Sequence, residues 1–337
     1  MTHPTLYTRF TERFKLTTPI ALAPMALASG GALAAACAQA GALGLVGGGY
    51  GDLAWTQREV TLANELLKTD AAAHARLGVG FITWKLDEDA SALDWALTQQ
   101  PCAVMLSFGD PRPYAARIAA SGAVLICQVQ QLAQVPLALE AGAAVIVAQG
   151  GEAGGHGANA LEGRSTFTLV PEIADHLATH SPDTLLLAAG GVADGRGLAA
   201  ALMLGADGAL VGSRLWATQE SLAAPGAKTQ ATHTNGDGTA RSAVFDILRR
   251  KNWPAPYDFR AIRNDLHRQL ETDIAALQAN PDAARADYDA GVKAGDFTRA
   301  HATVGEAVGL IADVPSAGTL IARISEQAVH ALGRHVL

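Results

Sequence analysis

The sequence predicts an α/β fold, a (β/α)8 TIM barrel with a helical insertion or lid after the eighth strand. Three features of the 337 residues predict it: eight short apolar runs, helical stretches between them, and glycines where those stretches end. The runs are residues 20–23, 44–47, 78–81, 104–107, 124–128, 144–148, 185–189 and 209–211. They are nearly continuous in apolar residues rather than alternating, as parallel strands are when covered on both sides. The helical stretches are 32–40, 89–98, 113–121, 132–141, 170–178 and 197–204. Gly41, Gly122, Gly142 and Gly205 follow four of them, where a left-handed C-terminal residue favours glycine. A doubly wound open sheet is the structural runner-up.

From about Thr218 the chain becomes more charged. Residues 231–239, rich in Gly, Thr and Asn, read as a loop, and helices are expected over 242–251, 262–279 and 281–294. Asn280 is placed to cap the last of these, with Pro281 in its first turn. Residues 305–337 return to an apolar helical period and are expected to pack back on the barrel. The organisation is thus a barrel over 1–217, a mostly helical accessory segment over 218–304, and a C-terminal helix over 305–337.

Composition removes several classes of function. Of all residues, 49% are apolar and 17% charged, so a large core can be buried. The net charge of −7 argues against a nucleic-acid surface, which needs clustered cations. The one basic run, Arg249-Arg250-Lys251, reads as a solvated helix end. Cys37, Cys102 and Cys127 show no metal-ligand spacing and read as reduced thiols of a cytoplasmic protein. No charge occurs between Leu16 and Gly51, yet two prolines and many glycines interrupt that stretch, so a membrane span is not expected. The first sixteen residues lack a signal-peptide layout.

In a barrel, ligands gather where strands end, and the loops after the last two strands commonly bind phosphate. Here those ends read Gly190-Gly191-Val192 and Gly212-Ser213-Arg214. Glycine lets backbone N–H groups approach phosphate oxygens, Ser213 adds a hydroxyl, and a helix starting near Gly195–Gly197 would aim its positive end at the same place. One such turn alone is only a tight βα connection; the pair marks a site. No GxGxxG follows the first strand and no GxxxxGK[ST] occurs, which excludes Rossmann and P-loop nucleotide sites.

The most distinctive segment is Gln149-Gly-Gly-Glu-Ala-Gly-Gly-His156-Gly. Gln149 offers an amide donor and acceptor at a strand end. Gly154 and its neighbours permit close approach to a flat cofactor, and His156 can serve as a general base on an acidic C–H. Glu152 either orients a neighbour or is a solvated carboxylate. Ala23-Pro24-Met25 at the first strand end is a second contact, with Pro24 fixing the turn and Met25 facing a ring. Ser107 through Pro111 reach the same rim. No second His or Cys lies near His156 at ligand spacing, so no metal is expected.

Ala23-Pro24-Met25, Ser107 to Pro111, Gln149 to His156, Ala189 to Gly197 and Gly212-Ser213 occur in the order seen in the nitronate monooxygenases, formerly 2-nitropropane dioxygenases, which the chain resembles over most of its length. Trp253-Pro254 and Arg260 to Asn264 extend the match. The resemblance implies non-covalently held FMN and oxidation of alkyl nitronates, such as propionate 3-nitronate, by molecular oxygen to a carbonyl compound and nitrite. It places His156 as the base, or as the group that binds the anionic nitronate. Met25 and Gln149 would approach the flavin, and Gly190, Gly191, Gly212 and Ser213 its phosphate. Many relatives carry Asn near the third strand end, where this chain has Gly80.

The expected partners are a small nitronate or nitroalkane and oxygen, with neither nucleic acid nor membrane and a homodimer left open. The alternatives are an NAD(P)H-dependent flavin reductase of quinone- or enoyl-thioester-reductase type, a flavin-free lyase or isomerase on a phosphorylated metabolite, and a non-catalytic flavin carrier.

Overall fold

A computed structural model describes residues 6–333, so residues 1–5 and 334–337 of the first and last expected segments lie outside it. The strands, in chain order, are β1 (Ile20–Leu22), β2 (Gly44–Gly49), β3 (Leu77–Ile82), β4 (Ala103–Ser107), β5 (Val124–Val129), β6 (Val145–Gln149), β7 (Gly155–Ala158), β8 (Leu185–Ala189), β9 (Gly208–Val211), β10 (Thr239–Ser242) and β11 (Tyr257–Ile262). Eight of them, β1 to β6 with β8 and β9, form one parallel sheet that runs from β1 through β9 and back to β2. The sheet nearly closes into a barrel through Leu43, whose N–H donates to Ile20 O at 3.0 Å and whose carbonyl accepts from Leu22 N–H at 2.9 Å.

Each strand is apolar on both faces because each face meets a different core. Leu45, Met105, Ile126, Val145, Val147, Leu185, Leu187 and Leu210 fill the barrel interior, with Phe10, Phe14 and Leu16 of the N-terminal segment packed into the same cluster. The alternate residues, Val46, Val104, Leu106, Cys127, Ile146, Leu186 and Val211, pack outward against the helices. This two-sided burial is the physical source of the unbroken apolar runs. The four glycines expected to end helices all adopt positive φ: +85° at Gly41, +81° at Gly122, +78° at Gly142 and +96° at Gly205.

The helices follow the strands, with some differences. Between β2 and β3 runs Leu53–Leu67, to which the sequence reading assigned no helix. Asp52 caps it by accepting from Trp55 N, while its buried face is a thin line of Val60, Ala63 and Leu67 beside polar Thr56 and Glu59. The expected helix over 262–279 is two, Asp265–Leu270 and Ile274–Ala279, because Asn264 and Asp273 each cap a new start by accepting from His267 N and Ala276 N. Asn280 ends the second of these rather than capping the next helix, Asp282–Ala294, which begins directly after Pro281. Helix Ala317–Leu332 packs against Gly195–Met203 and buries Leu320, Ile321, Ile324 and Ala328.

The accessory region also supplies strands. β10, β11 and β7 form a three-stranded antiparallel sheet in which Phe259 pairs with His156 and Arg260 with Gly155. The sequence reading gave residues 155–158 as loop, and Gly-His-Gly-Ala has no intrinsic strand preference. Its extended shape comes from pairing with β11, about a hundred residues later. That pairing sets the direction of the His156 side chain.

Candidate active site

A cavity of about 760 Å³ opens at the C-terminal end of the barrel strands. Ala23, Pro24, Met25, Gln149, Gly154, His156, Gly190, Gly191, Gly212 and Ser213 all line it, as do Glu152 and Ser107. The sequence reading therefore gathered residues from five separate strand ends into what is one concavity. Its outer wall comes from the accessory segment, including Arg249, Lys251, Trp253, Phe259, Tyr288 and His301.

His156 is 9% exposed. Its Nε2 lies 2.9 and 3.0 Å from the two carboxylate oxygens of Asp246, which is equally buried. A carboxylate accepts, so Nε2 carries the proton and Nδ1 keeps the ring lone pair. Trp253 stacks on the imidazole at 3.4 Å and 12°, and Phe259 packs 4.8 Å away. Burial lowers the His156 pKa to about 4, outweighing the hydrogen bond and charge of Asp246, which raise it. The ring is thus neutral at neutral pH and able to accept a proton, with a carboxylate behind it to stabilise the imidazolium that results.

The Gln149–His156 segment is held from outside by two arginines on the accessory sheet. Arg241 donates to the carbonyls of Ala153 at 2.7 Å, Gly155 at 3.1 Å and Asp258 at 2.6 Å, and Arg260 Nε donates to Gly151 O at 3.2 Å. Glu152 is no solvated carboxylate: it accepts from the N–H and the hydroxyl of Thr166 and so fixes the start of helix Thr166–His180. Gly154 is required by the protein itself, because a Cβ there would lie 2.5 Å from Gly305 N and from Val304 C. Gln149 is largely engaged with its neighbours. Its oxygen accepts from Gln130 at 2.9 Å and Gln128 at 3.2 Å, and its amide donates to His156 O at 3.0 Å.

The glycine turns present a different chemistry. Gly190 and Gly191 take φ of +98° and +77°, the left-handed region open to glycine. Among the described residues, the N–H groups of Gly191, Val192 and Ser213 donate to no acceptor. The Ser213 hydroxyl oxygen accepts from Gly305 N–H at 2.8 Å, which leaves its own proton to be donated. One expected contributor is spent elsewhere. Helix Gly195–Met203 is capped by Asp194, which accepts from Arg196 N and Gly197 N, so its positive end already faces a carboxylate.

Gly80 has a local explanation. A Cβ at this position would fall 2.3 Å from Pro24 Cγ and 2.5 Å from Pro24 Cβ, so the proline ring occupies the space of a side chain.

The basic run differs most from expectation. Only Arg250 behaves as a solvated helix-end residue, paired with Asp289 at 2.8 Å with both half exposed. Arg249 is 13% exposed and stacks over Phe259 at 4.6 Å, and Lys251 Nζ sits 4.1 Å over the Tyr50 ring. Helix Val244–Leu248 ends against the cavity, and all three cations of the run line it, Arg250 already paired with Asp289. Sequence reasoning also missed Asp246, for which no local signal exists. A buried carboxylate beside a buried imidazole is a tertiary fact. Among the described residues no cluster of metal-ligating side chains occurs and no helix is long and apolar enough to cross a membrane. All three cysteines are free; burial raises the thiol pKa of each.

Comparison with known proteins places this geometry. The family model described as nitronate monooxygenase matches residues 8–327. A nitronate monooxygenase (npaC) of Metarhizium robertsii is 33% identical over 91% of this chain and 89% of its own. Among solved structures, FabK from Thermotoga maritima superposes with a TM-score of 0.80 at 26% identity, covering 97% of this chain and 98% of that one. A nitroalkane oxidase from Streptomyces ansochromogenes gives 0.76 at 25% identity, covering 95% and 98%.

Proposed function

This chain belongs to the nitronate monooxygenase family, and on that premise we propose that it binds FMN at the barrel mouth and oxidises alkyl nitronates with molecular oxygen to a carbonyl compound and nitrite. The observation that carries the reading is the pairing, in one cavity, of a neutral buried histidine with a set of unspent backbone donors. The donors fit a phosphate: Gly191, Val192 and Ser213 offer N–H groups and Ser213 a hydroxyl, where barrels commonly bind one. Pro24, Met25 and Phe81 line the same cavity and offer apolar surface to a flat ring. Bound FMN supplies the electron acceptance that no side chain here can provide.

The residues of the chain do the rest. His156 Nδ1 takes the proton from the carbon beside the nitro group when the substrate arrives as a neutral nitroalkane. Asp246 orients the ring through Nε2 and stabilises the imidazolium. Trp253, stacked on the imidazole, and Phe259 keep water from the base, which strengthens the Asp246 interaction. A substrate that arrives as the nitronate has no such proton to give, and His156 then serves to position it.

In air, the flavin-loaded protein should consume oxygen and release nitrite from propionate 3-nitronate. Flavin-containing protein that releases no nitrite would overturn the reading. Asp246→Asn should lower kcat/KM for neutral nitroalkanes by roughly 10- to 100-fold, because it removes the charge partner of the imidazolium. The low-pH limb of that rate should lie well below the ordinary imidazole value of 6.5, toward the His156 pKa of about 4. Because Asp246 raises that pKa, the variant's limb should move to still lower pH. A pH–rate profile with unmoved limb would show that Asp246 is only structural.

A further inference from the structure

We propose that Arg249 and Lys251 form an anion-binding wall that holds a planar two-oxygen anion, a nitronate or a carboxylate, beside His156. Arg249 Nη1 is buried without a hydrogen-bond partner. Its nearest carboxylate, Asp246, stands 3.7 Å away, beyond hydrogen-bond reach, and already accepts from His156. The other carboxylates of the cavity wall are spent, Asp289 on Arg250 and Glu152 on Thr166. Lys251 has no carboxylate partner among the described residues and rests on Tyr50 in the same wall.

Of the two cations, Arg249 has only a loose ion pair with a carboxylate committed to His156, and Lys251 has none; both lie against aromatic rings of the cavity wall. A buried guanidinium N–H that makes no hydrogen bond is costly even beside a carboxylate at 3.7 Å, so such an arrangement persists where a ligand completes it. The fixed fork of a guanidinium matches two coplanar oxygens, which a nitronate and a carboxylate share. The position suits the reacting group: Arg249 lies on Phe259, the ring that also packs on His156. An anion there would be held within reach of the base. Arg250 serves as an internal contrast, since this neighbouring cation on the same cavity wall has found its own Asp289.

This assignment of a specificity determinant rests on the nitronate reading but is tested without turnover. Isobutyrate is the carboxylate isostere of propane 2-nitronate, and isobutyramide is its neutral counterpart. Calorimetric titration of the flavin-loaded protein should show isobutyrate binding that weakens roughly 10- to 100-fold in Arg249→Gln, while isobutyramide binding is unchanged. Arg249→Lys, which keeps the charge and loses the fork, should recover part of the affinity. If the wall holds the nitronate itself, KM for propane 2-nitronate rises in step in Arg249→Gln. If it holds a remote carboxylate, KM rises for propionate 3-nitronate alone. Failure of isobutyrate to bind the wild type, or equal loss of both probes in Arg249→Gln, overturns the proposal. Isobutyrate binding without any nitronate oxidation would leave the anion wall standing and remove the functional reading instead.

Discussion

His156→Asn should lower kcat/KM for a neutral nitroalkane by roughly 100- to 1,000-fold, the range a positioned general base contributes. Turnover of the preformed nitronate should fall far less. The asymmetry follows from the chemistry: only the neutral substrate has a proton to lose, and His156, which lines the cavity, keeps a lone pair on Nδ1 with a carboxylate behind the ring. Asparagine is close in size and can still donate to Asp246, so the buried carboxylate is not orphaned. Stopped-flow rates with 2-nitropropane and with its nitronate would measure the two. Equal loss on both would leave His156 a binding residue and remove the base from the mechanism.

The second large effect concerns the donor set. Gly212 has a negative φ of −100°, and a Cβ there would meet Ala23 Cβ at 3.6 Å and Met25 Sδ at 3.8 Å, ordinary contacts. Gly212→Asp should therefore fold, but with a carboxylate among the N–H groups of Gly191, Val192 and Ser213. Like charges brought together cost several kcal/mol, so the affinity for FMN should fall by at least about 100-fold. The purified variant should be colourless with unchanged circular dichroism, whereas Gly212→Ala keeps most of its flavin. A yellow Gly212→Asp protein would move the phosphate away from these turns.

Much of this arrangement is legible in the sequence, and the limits have physical causes. The strands are visible because two cores demand apolar residues on both faces, as with Val145, Ile146 and Val147. The helix ends are visible because Gly41, Gly122, Gly142 and Gly205 hold a backbone conformation that other residues resist. Helix Leu53–Leu67 is obscured by a narrow buried face and the polar Thr56, Gln57, Arg58 and Glu59 in its middle. β7 is obscured because its strand character is borrowed from β11.

The site divides in the same way. Residues at strand ends could be collected from sequence because barrel topology brings those ends to one rim. The partners of His156 could not. Asp246 is 90 positions away and reaches it only through the fold. The Arg249-Arg250-Lys251 run reads as solvated because charge runs usually are, and nothing local tells that Arg249 and Lys251 pack on aromatic rings of the cavity while Arg250 is paired with Asp289. Gly80, which stands where many relatives carry Asn, makes room in the fold for Pro24.

The most direct test of the central claim is the absorbance spectrum of the purified protein under anaerobic conditions, before and after addition of propionate 3-nitronate. The account predicts a flavin spectrum at the outset and its prompt bleaching by the nitronate, with no nicotinamide cofactor present. A flavin spectrum that the nitronate leaves unchanged, but that NADH bleaches rapidly, would contradict it and assign the same cavity to an NAD(P)H-dependent reductase.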